Sequence, residues 1–107
     1  MKHLTPTELA GWLAEKSRAQ PVLLDVREPW EYEKARIAGS RLVPMGDIPG
    51  RKDEIDSAAD IVVICHHGGR SMQVAMFLEK NGFAKVHNLT GGVDSWSRNV
   101  DPSVPVY

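Results

Sequence analysis

The stretch that decides the fold reads Ile61-Val62-Val63-Ile64-Cys65-His66-His67-Gly68-Gly69-Arg70-Ser71. It opens with four consecutive apolar residues, a pattern typical of a strand that is buried on both faces of a parallel sheet. Further on, Val74, Phe77 and Leu78 recur at helical spacing, which predicts a helix over residues 71–80. The segment therefore predicts a strand, a polar loop and a helix, with Cys65 where the strand ends.

The same alternation of strand and helix extends in both directions along the chain. Further strands are predicted over residues 21–26, within 39–45 and over 85–89. Further helices are predicted from Thr5 onward and over residues 29–34, 48–55 and 93–99. Strands that alternate with helices form parallel βαβ units. We therefore predict an α/β fold with an open, mainly parallel sheet and helices on both faces.

Two helix ends carry recognisable capping residues. Thr5 and Glu8 have the spacing of a capping box, which begins a helix. Gly82 stands where a left-handed residue ends a helix, and Phe83 is placed to pack on Leu78 in a Schellman motif. The sequence thus predicts where the first helix begins and where the helix after Cys65 ends.

Length, charge and cysteine content limit the class of protein. A chain of 107 residues predicts one domain, 1–107, in which the proline-containing residues 100–107 form an extended C-terminal tail. The net charge of −1, from 13 basic and 14 acidic residues, argues against nucleic-acid binding. No run approaches the ~18 apolar residues of a membrane span. A single cysteine cannot form an intramolecular disulfide, which favours a reducing compartment. Together with the lack of an apolar span, this leads us to expect a soluble, cytoplasmic protein. We also expect a monomer.

Cys65 is the candidate nucleophile. Gly68 and Gly69 allow backbone N–H groups to turn inward, and the N-terminus of the following helix adds partial positive charge. Arg70 adds a full positive charge, so the loop favours a thiolate at Cys65. The alternative is an inert buried cysteine, but the polar residues that follow Cys65 make poor packing material and a good anion site.

The other polar residues near the strand ends have simpler interpretations. His66 and His67 are metal-ligand types, but adjacent side chains are expected to diverge and no second cysteine is present, so we predict no metal here. We interpret them as loop histidines that tune local charge. Asp25 and Arg27 follow another strand, and we interpret them as an ion pair that braces the loops.

Three segments in order carry a family resemblance. The Cys65-x-x-x-x-Arg70-Ser71 loop resembles the active-site loop of single-domain rhodaneses, which are sulfurtransferases. The family's amino-terminal signature is similar to Leu24-Asp25-Val26-Arg27-Glu28-x-x-Glu31-Tyr32, and its carboxy-terminal one to Leu89-x-Gly91-Gly92-Val93-x-x-Trp96. The departures are local: Ala35-Arg36 precedes Ile37 where the family usually has Gly-His, and Leu42 replaces a common asparagine.

The resemblance implies a sulfurtransferase in which Cys65 is catalytic and becomes a persulfide. It implies a substrate-binding loop made of His66, His67, Gly68, Gly69, Arg70 and Ser71, braced by Asp25 and Arg27. The donor is expected to be a small sulfur-containing anion such as thiosulfate. With one cysteine in the chain, the acceptor is expected to be external: a thiol, cyanide or a sulfur-accepting protein. No cofactor is expected.

Two other functions stay open from the sequence. Related folds use a Cys…Arg loop in protein phosphatases and arsenate reductases, but those loops usually place five residues between Cys and Arg. Cys65 and Arg70 enclose four, which favours a smaller cradle. The other alternative is a non-catalytic rhodanese-like binding module. Such modules commonly lack the cysteine, so Cys65 argues against it.

Overall fold

The computed structural model describes residues 1–107, and strands and helices alternate along them. The strands are β1 (Lys2–Leu4), β2 (Val22–Asp25), β3 (Arg41–Leu42), β4 (Ile61–Ile64) and β5 (Val86–Leu89). The helices are α1 (Pro6–Ala14), α2 (Pro29–Lys34), α3 (Ile48–Arg51), α4 (Gly69–Lys80) and α5 (Gly92–Asn99). None of these helices combines the length and the apolar composition needed to cross a bilayer.

The strands form one five-stranded sheet in the order β1-β5-β4-β2-β3. Every neighbouring pair is parallel, and β4 occupies the centre between β5 and β2. The predicted α/β fold is confirmed. Because all the strands run the same way, their carboxyl ends meet at one edge of the sheet, where ligands bind in open sheets of this kind.

Alternate side chains of β4 enter two separate cores. Ile61 and Val63 pack in a cluster of 13 buried residues that includes the inward side of α4. Val62 and Ile64 pack in a cluster of 11 buried residues on the opposite face, with apolar residues of α1 and α5. All four β4 side chains are fully buried. Strand β4 is therefore buried on both faces of the sheet, as its uninterrupted apolar run predicted.

The predicted helix ends are present. Glu8 N donates to Thr5 Oγ1 at 3.1 Å and Thr5 N donates to Glu8 Oε1 at 2.8 Å, which completes the capping box. Gly82 has a left-handed φ of +91°, and Phe83 N donates to Leu78 O at 3.1 Å as in a Schellman motif. Helix α4 begins at Gly69, two residues before the predicted start.

Two elements differ from the sequence prediction. Strand β1 was not predicted, because only Leu4 of its three residues is partly buried and no apolar pattern marks it. It forms by pairing with β5 at the edge of the sheet, with Leu4 opposite Leu89. The helix predicted over 48–55 is the short α3 followed by a 3-10 turn at Lys52–Glu54.

The C-terminal residues, predicted only as an extended tail, contact the rest of the fold. They form no helix or strand after α5. Val104 is buried in the core cluster that contains α1 and α5. The chain then brings the Tyr107 side chain to Arg27 and Glu31 at the carboxyl edge of the sheet. The tail therefore contributes one wall of the candidate site.

Candidate active site

Cys65 lies directly after β4, at the carboxyl edge of the sheet, and is 1% exposed. Its Sγ accepts a hydrogen bond from Gly68 N at 3.0 Å and lies 3.2 Å from Ser71 Oγ. Ser71 Oγ in turn donates to Asn88 Oδ1 on β5 at 2.5 Å. The sulfur is therefore held by the loop that follows it and, through Ser71, by the neighbouring strand.

The first turn of α5 shapes the loop around Cys65. Val93 N donates to Cys65 O at 2.9 Å, and Asp94 N donates to His66 O at 3.1 Å. The N-terminal amides of α5 therefore donate to carbonyl oxygens of the loop, whereas the N–H of Gly68 donates to the Cys65 sulfur. A backbone N–H aimed at Sγ stabilises negative charge there, which is a requirement for a cysteine nucleophile.

Gly92 permits the close approach of α5 to the loop. It has a left-handed φ of +59°, and a Cβ at this position would lie 2.3 Å from Cys65 O and 2.5 Å from His66 O. No side chain fits at that distance. Gly92 of the carboxy-terminal signature therefore has a direct structural function, which is to allow contact between the backbones of α5 and the cysteine loop.

Arg70 does not stand free beside the cysteine but pairs with Glu31 on α2. Arg70 Nη1 donates to Glu31 Oε1 at 2.7 Å and Nη2 donates to Oε2 at 2.9 Å, a two-point pair. The hydrogen bonds from Arg70 lower the pKa of the Glu31 carboxyl to about 2, with smaller lowering contributions from Glu28 N and Tyr107. The pKa of Arg70 is raised by Glu31, and also by the nearby Cys65.

We expect Glu31→Gln to flatten the acid side of the stability curve. A carboxyl whose pKa falls from 4.5 to about 2 on folding stabilises the protein above pH 4.5, and this contribution is lost as pH falls toward 2. Unfolding by urea across this range should therefore show a smaller pH dependence in the variant. Glu33→Gln, an exposed change on the same helix, is the control. Equal slopes for Glu31→Gln and the native protein would contradict the pairing.

Asp25 and Arg27 form a fully buried ion pair below the loop. Arg27 Nη2 donates to Asp25 Oδ2 at 2.7 Å and Nε donates to Asp25 Oδ1 at 2.9 Å, and neither side chain is exposed. The same guanidinium donates to the backbone carbonyls of Glu31 and Ala35. It fixes α2 and the loop after it relative to β2, and so fixes the helix that presents Glu31 to Arg70.

Tyr107 links the two ion pairs and was not identified from the sequence. Its hydroxyl accepts from Arg27 Nη1 at 2.8 Å and donates to Glu31 Oε2 at 2.8 Å. Burial raises the pKa of Tyr107 to about 12. Trp30, 60% exposed, packs edge-on against the tyrosine ring with centroids 5.9 Å apart. No sequence signal marked Tyr107, whereas Glu31 lies within the amino-terminal signature and Asn88 within a predicted strand.

The two histidines do not diverge, which corrects the reason given for excluding a metal from the sequence. The His66 and His67 rings lie with centroids 3.9 Å apart, and the other face of His66 stacks on Tyr107, also at 3.9 Å. Burial, and then the neighbouring His67, lower the pKa of His66. His67 itself is exposed, and its Nδ1 lies 4.0 Å from Asp94 Oδ2.

The structure brings the predicted loop residues and the predicted ion pair to one edge of the sheet. Cys65, Gly68 and Ser71 meet at the sulfur, while Arg70 meets Glu31 at the side. His67 and Gly69 line a depression beside the loop together with Asn88 of β5. The arrangement can hold a negatively charged sulfur at Cys65. The His66 and His67 rings take no part in the hydrogen bonds to that sulfur.

Comparison with known proteins assigns the family. The family model of the rhodanese-like domain matches residues 5–99. The chain is 43% identical over 89 residues to rhodanese-like/PpiC domain-containing protein 12, chloroplastic, of Arabidopsis thaliana, with 79% of this chain and 30% of that protein covered. It is 37% identical over 83 residues to a protein named sulfurtransferase from Allochromatium vinosum, with 78% of each covered.

Solved structures agree with the sequence match. A rhodanese-like domain protein from Staphylococcus aureus superposes with a TM-score of 0.85 at 29% identity, over 100% of this chain and 99% of that one. This chain spans less than a third of the length of the Arabidopsis relative. The matches in sequence and in structure cover the cysteine loop and both signatures, and the chain belongs to the rhodanese-like domain family.

Proposed function

We propose that this protein is a sulfurtransferase that carries sulfur as a persulfide on Cys65. The Cys65 thiolate attacks the outer sulfur of an anionic donor such as thiosulfate. The sulfur–sulfur bond of the donor breaks, sulfite leaves with the bonding electron pair, and Cys65 keeps one added sulfur. A nucleophilic acceptor then attacks that sulfur and releases the Cys65 thiolate. Covalent catalysis of this kind divides one displacement into two.

The observation that carries the proposal is the setting of the Cys65 sulfur. It accepts a backbone hydrogen bond from Gly68 at the start of α4, whose dipole favours negative charge. The same features suit the persulfide, which carries its charge one sulfur further out. The two guanidinium nitrogens of Arg70 that could bind an oxyanion of the donor instead donate to the Glu31 carboxylate. We therefore assign Arg70 to positioning the loop.

The acceptor in this proposal is external. Cys65 is the only cysteine in the chain, so no second thiol can resolve the persulfide within it. Cyanide would serve in an assay, and a cellular thiol or a sulfur-accepting protein in the cell. Since the reaction requires a reduced Cys65, a reducing compartment such as the cytoplasm suits it.

The decisive experiment follows both half-reactions on purified protein. Incubation with thiosulfate should add one sulfur atom to the intact mass, and addition of cyanide should remove it and yield thiocyanate. Hydrolysis of a small aryl phosphate, measured in parallel, tests the phosphatase alternative. Phosphate release without any sulfur adduct or thiocyanate would overturn the proposal in favour of a phosphatase.

Arg70→Lys tests the positioning role of the arginine. Lysine keeps the charge but has a single ammonium in place of the planar fork that contacts both oxygens of Glu31. We expect kcat/KM for thiosulfate to fall about tenfold, or ~1.4 kcal/mol of transition-state stabilisation. Arg41→Lys, which alters an exposed pair with Glu54 on another part of the surface, is the control. Unchanged kinetics for Arg70→Lys would show that the two-point pair has no part in catalysis.

A further inference from the structure

A second group of side chains that could bind a metal ion lies on the cysteine loop and in the first turn of α5. His66, His67 and Asp94 each offer one donor atom, and these three atoms lie within 4.8 Å of one another. None of the three is used in the sulfur-transfer steps proposed above. Two imidazole nitrogens and a carboxylate oxygen form a donor set that Zn²⁺ takes in sites that keep an open coordination position.

The backbone holds these residues together. Asp94 N, in the first turn of α5, donates to His66 O at 3.1 Å, so the histidine loop and the aspartate cannot drift apart. Stacking on Tyr107 fixes the His66 ring at 3.9 Å on one face, and His67 lies at 3.9 Å on the other. Two of the three donors are therefore positioned by the fold, and the exposed His67 side chain is free to complete the set.

An independent observation also concerns His66. Its Nε2 atom is buried and has no hydrogen-bond partner. Unpartnered buried nitrogens are uncommon in folded proteins and require an explanation. Here the nitrogen belongs to one of three side chains already gathered for coordination.

We propose that His66, His67 and Asp94 bind one divalent transition-metal ion of the zinc class, with solvent or a sulfur ligand completing its coordination. Zn–N and Zn–O distances of about 2.0–2.2 Å require the donors to move closer than 4.8 Å, and the exposed His67 can supply that movement. Binding must also displace Arg98, whose Nε donates to Asp94 Oδ2 at 3.1 Å. That pair is exposed and therefore weak.

The test uses the 107-residue chain carrying Cys65→Ser, so that the thiol cannot act as a ligand. Titration with Zn²⁺ by calorimetry should show one ion per chain, and Co²⁺ should give visible absorption bands from a site with nitrogen and oxygen ligands. In this background, His67→Ala and Asp94→Asn should each weaken Zn²⁺ binding by at least about tenfold, since each removes one ligand. Circular dichroism checks that each variant is folded.

Arg98→Ala is expected to change the Zn²⁺ affinity in the opposite direction. Removing the cation that occupies the Asp94 carboxylate should tighten Zn²⁺ binding several-fold. Asp53→Asn is the matched control for Asp94→Asn, because Asp53 is exposed and is not one of the three donors; it should leave the Zn²⁺ affinity unchanged. The proposal is overturned if Cys65→Ser protein binds no Zn²⁺, or if His67→Ala and Asp94→Asn bind it as tightly as their background. Neither result depends on whether the native protein transfers sulfur.

Discussion

Cys65→Ser is expected to abolish sulfur transfer while leaving the fold intact. A serine hydroxyl is not ionised near neutral pH and cannot form a persulfide, so neither half-reaction can proceed. The two side chains are similar in size, and Oγ can accept the hydrogen bond that Gly68 N now gives to Sγ. Thiocyanate formation and the intact mass after thiosulfate treatment are the measurements.

The control for Cys65→Ser is the free energy of unfolding in urea, which should change by less than about 1.5 kcal/mol, because the buried hydroxyl would have Gly68 N and Ser71 Oγ as hydrogen-bond partners. A variant that keeps its stability and loses the sulfur adduct assigns the chemistry to Cys65. A variant that still accumulates the adduct, or still forms thiocyanate at a substantial rate, would show that the nucleophile lies elsewhere.

Gly92→Ala is expected to cause a larger loss of stability than alanine at any other glycine of the chain. The new Cβ would stand 2.3 Å from Cys65 O and 2.6 Å from His66 C, both backbone atoms that cannot move aside without moving the loop. To this is added the cost of a left-handed residue with a side chain, about 1–2 kcal/mol. We expect a total loss of roughly 3 kcal/mol or more, together with impaired sulfur transfer.

Gly82→Ala separates the two causes. Gly82 has a left-handed φ of +91°, and a methyl group added there would meet no atom within 4 Å, so this variant carries the conformational cost alone. Urea unfolding should show a loss of about 1 kcal/mol, with sulfur transfer retained. If Gly92→Ala lost no more stability than Gly82→Ala, the close approach of α5 to the cysteine loop would not be a structural requirement.

Much of the fold could be predicted because its signals are local. The apolar run of β4, the capping box at Thr5 and the left-handed Gly82 each act within a few residues, and each is present in the structure. Strand β1 escaped prediction because its stability comes from pairing with β5 rather than from its own side chains. Short edge strands carry too little apolar pattern to be identified alone.

The sequence by itself determined the order of strands and helices from α1 onward and the placement of a lone cysteine before a glycine-rich helix start. The tertiary structure decided which side chains meet there. Arg70 meets Glu31 across 39 positions of sequence, and Tyr107 meets Glu31 across 76. Hydrophobic periodicity reports only which face of an element is buried, whereas partners across such distances depend on the strand order, which brings α2, α4 and the C-terminal residues to one edge of the sheet.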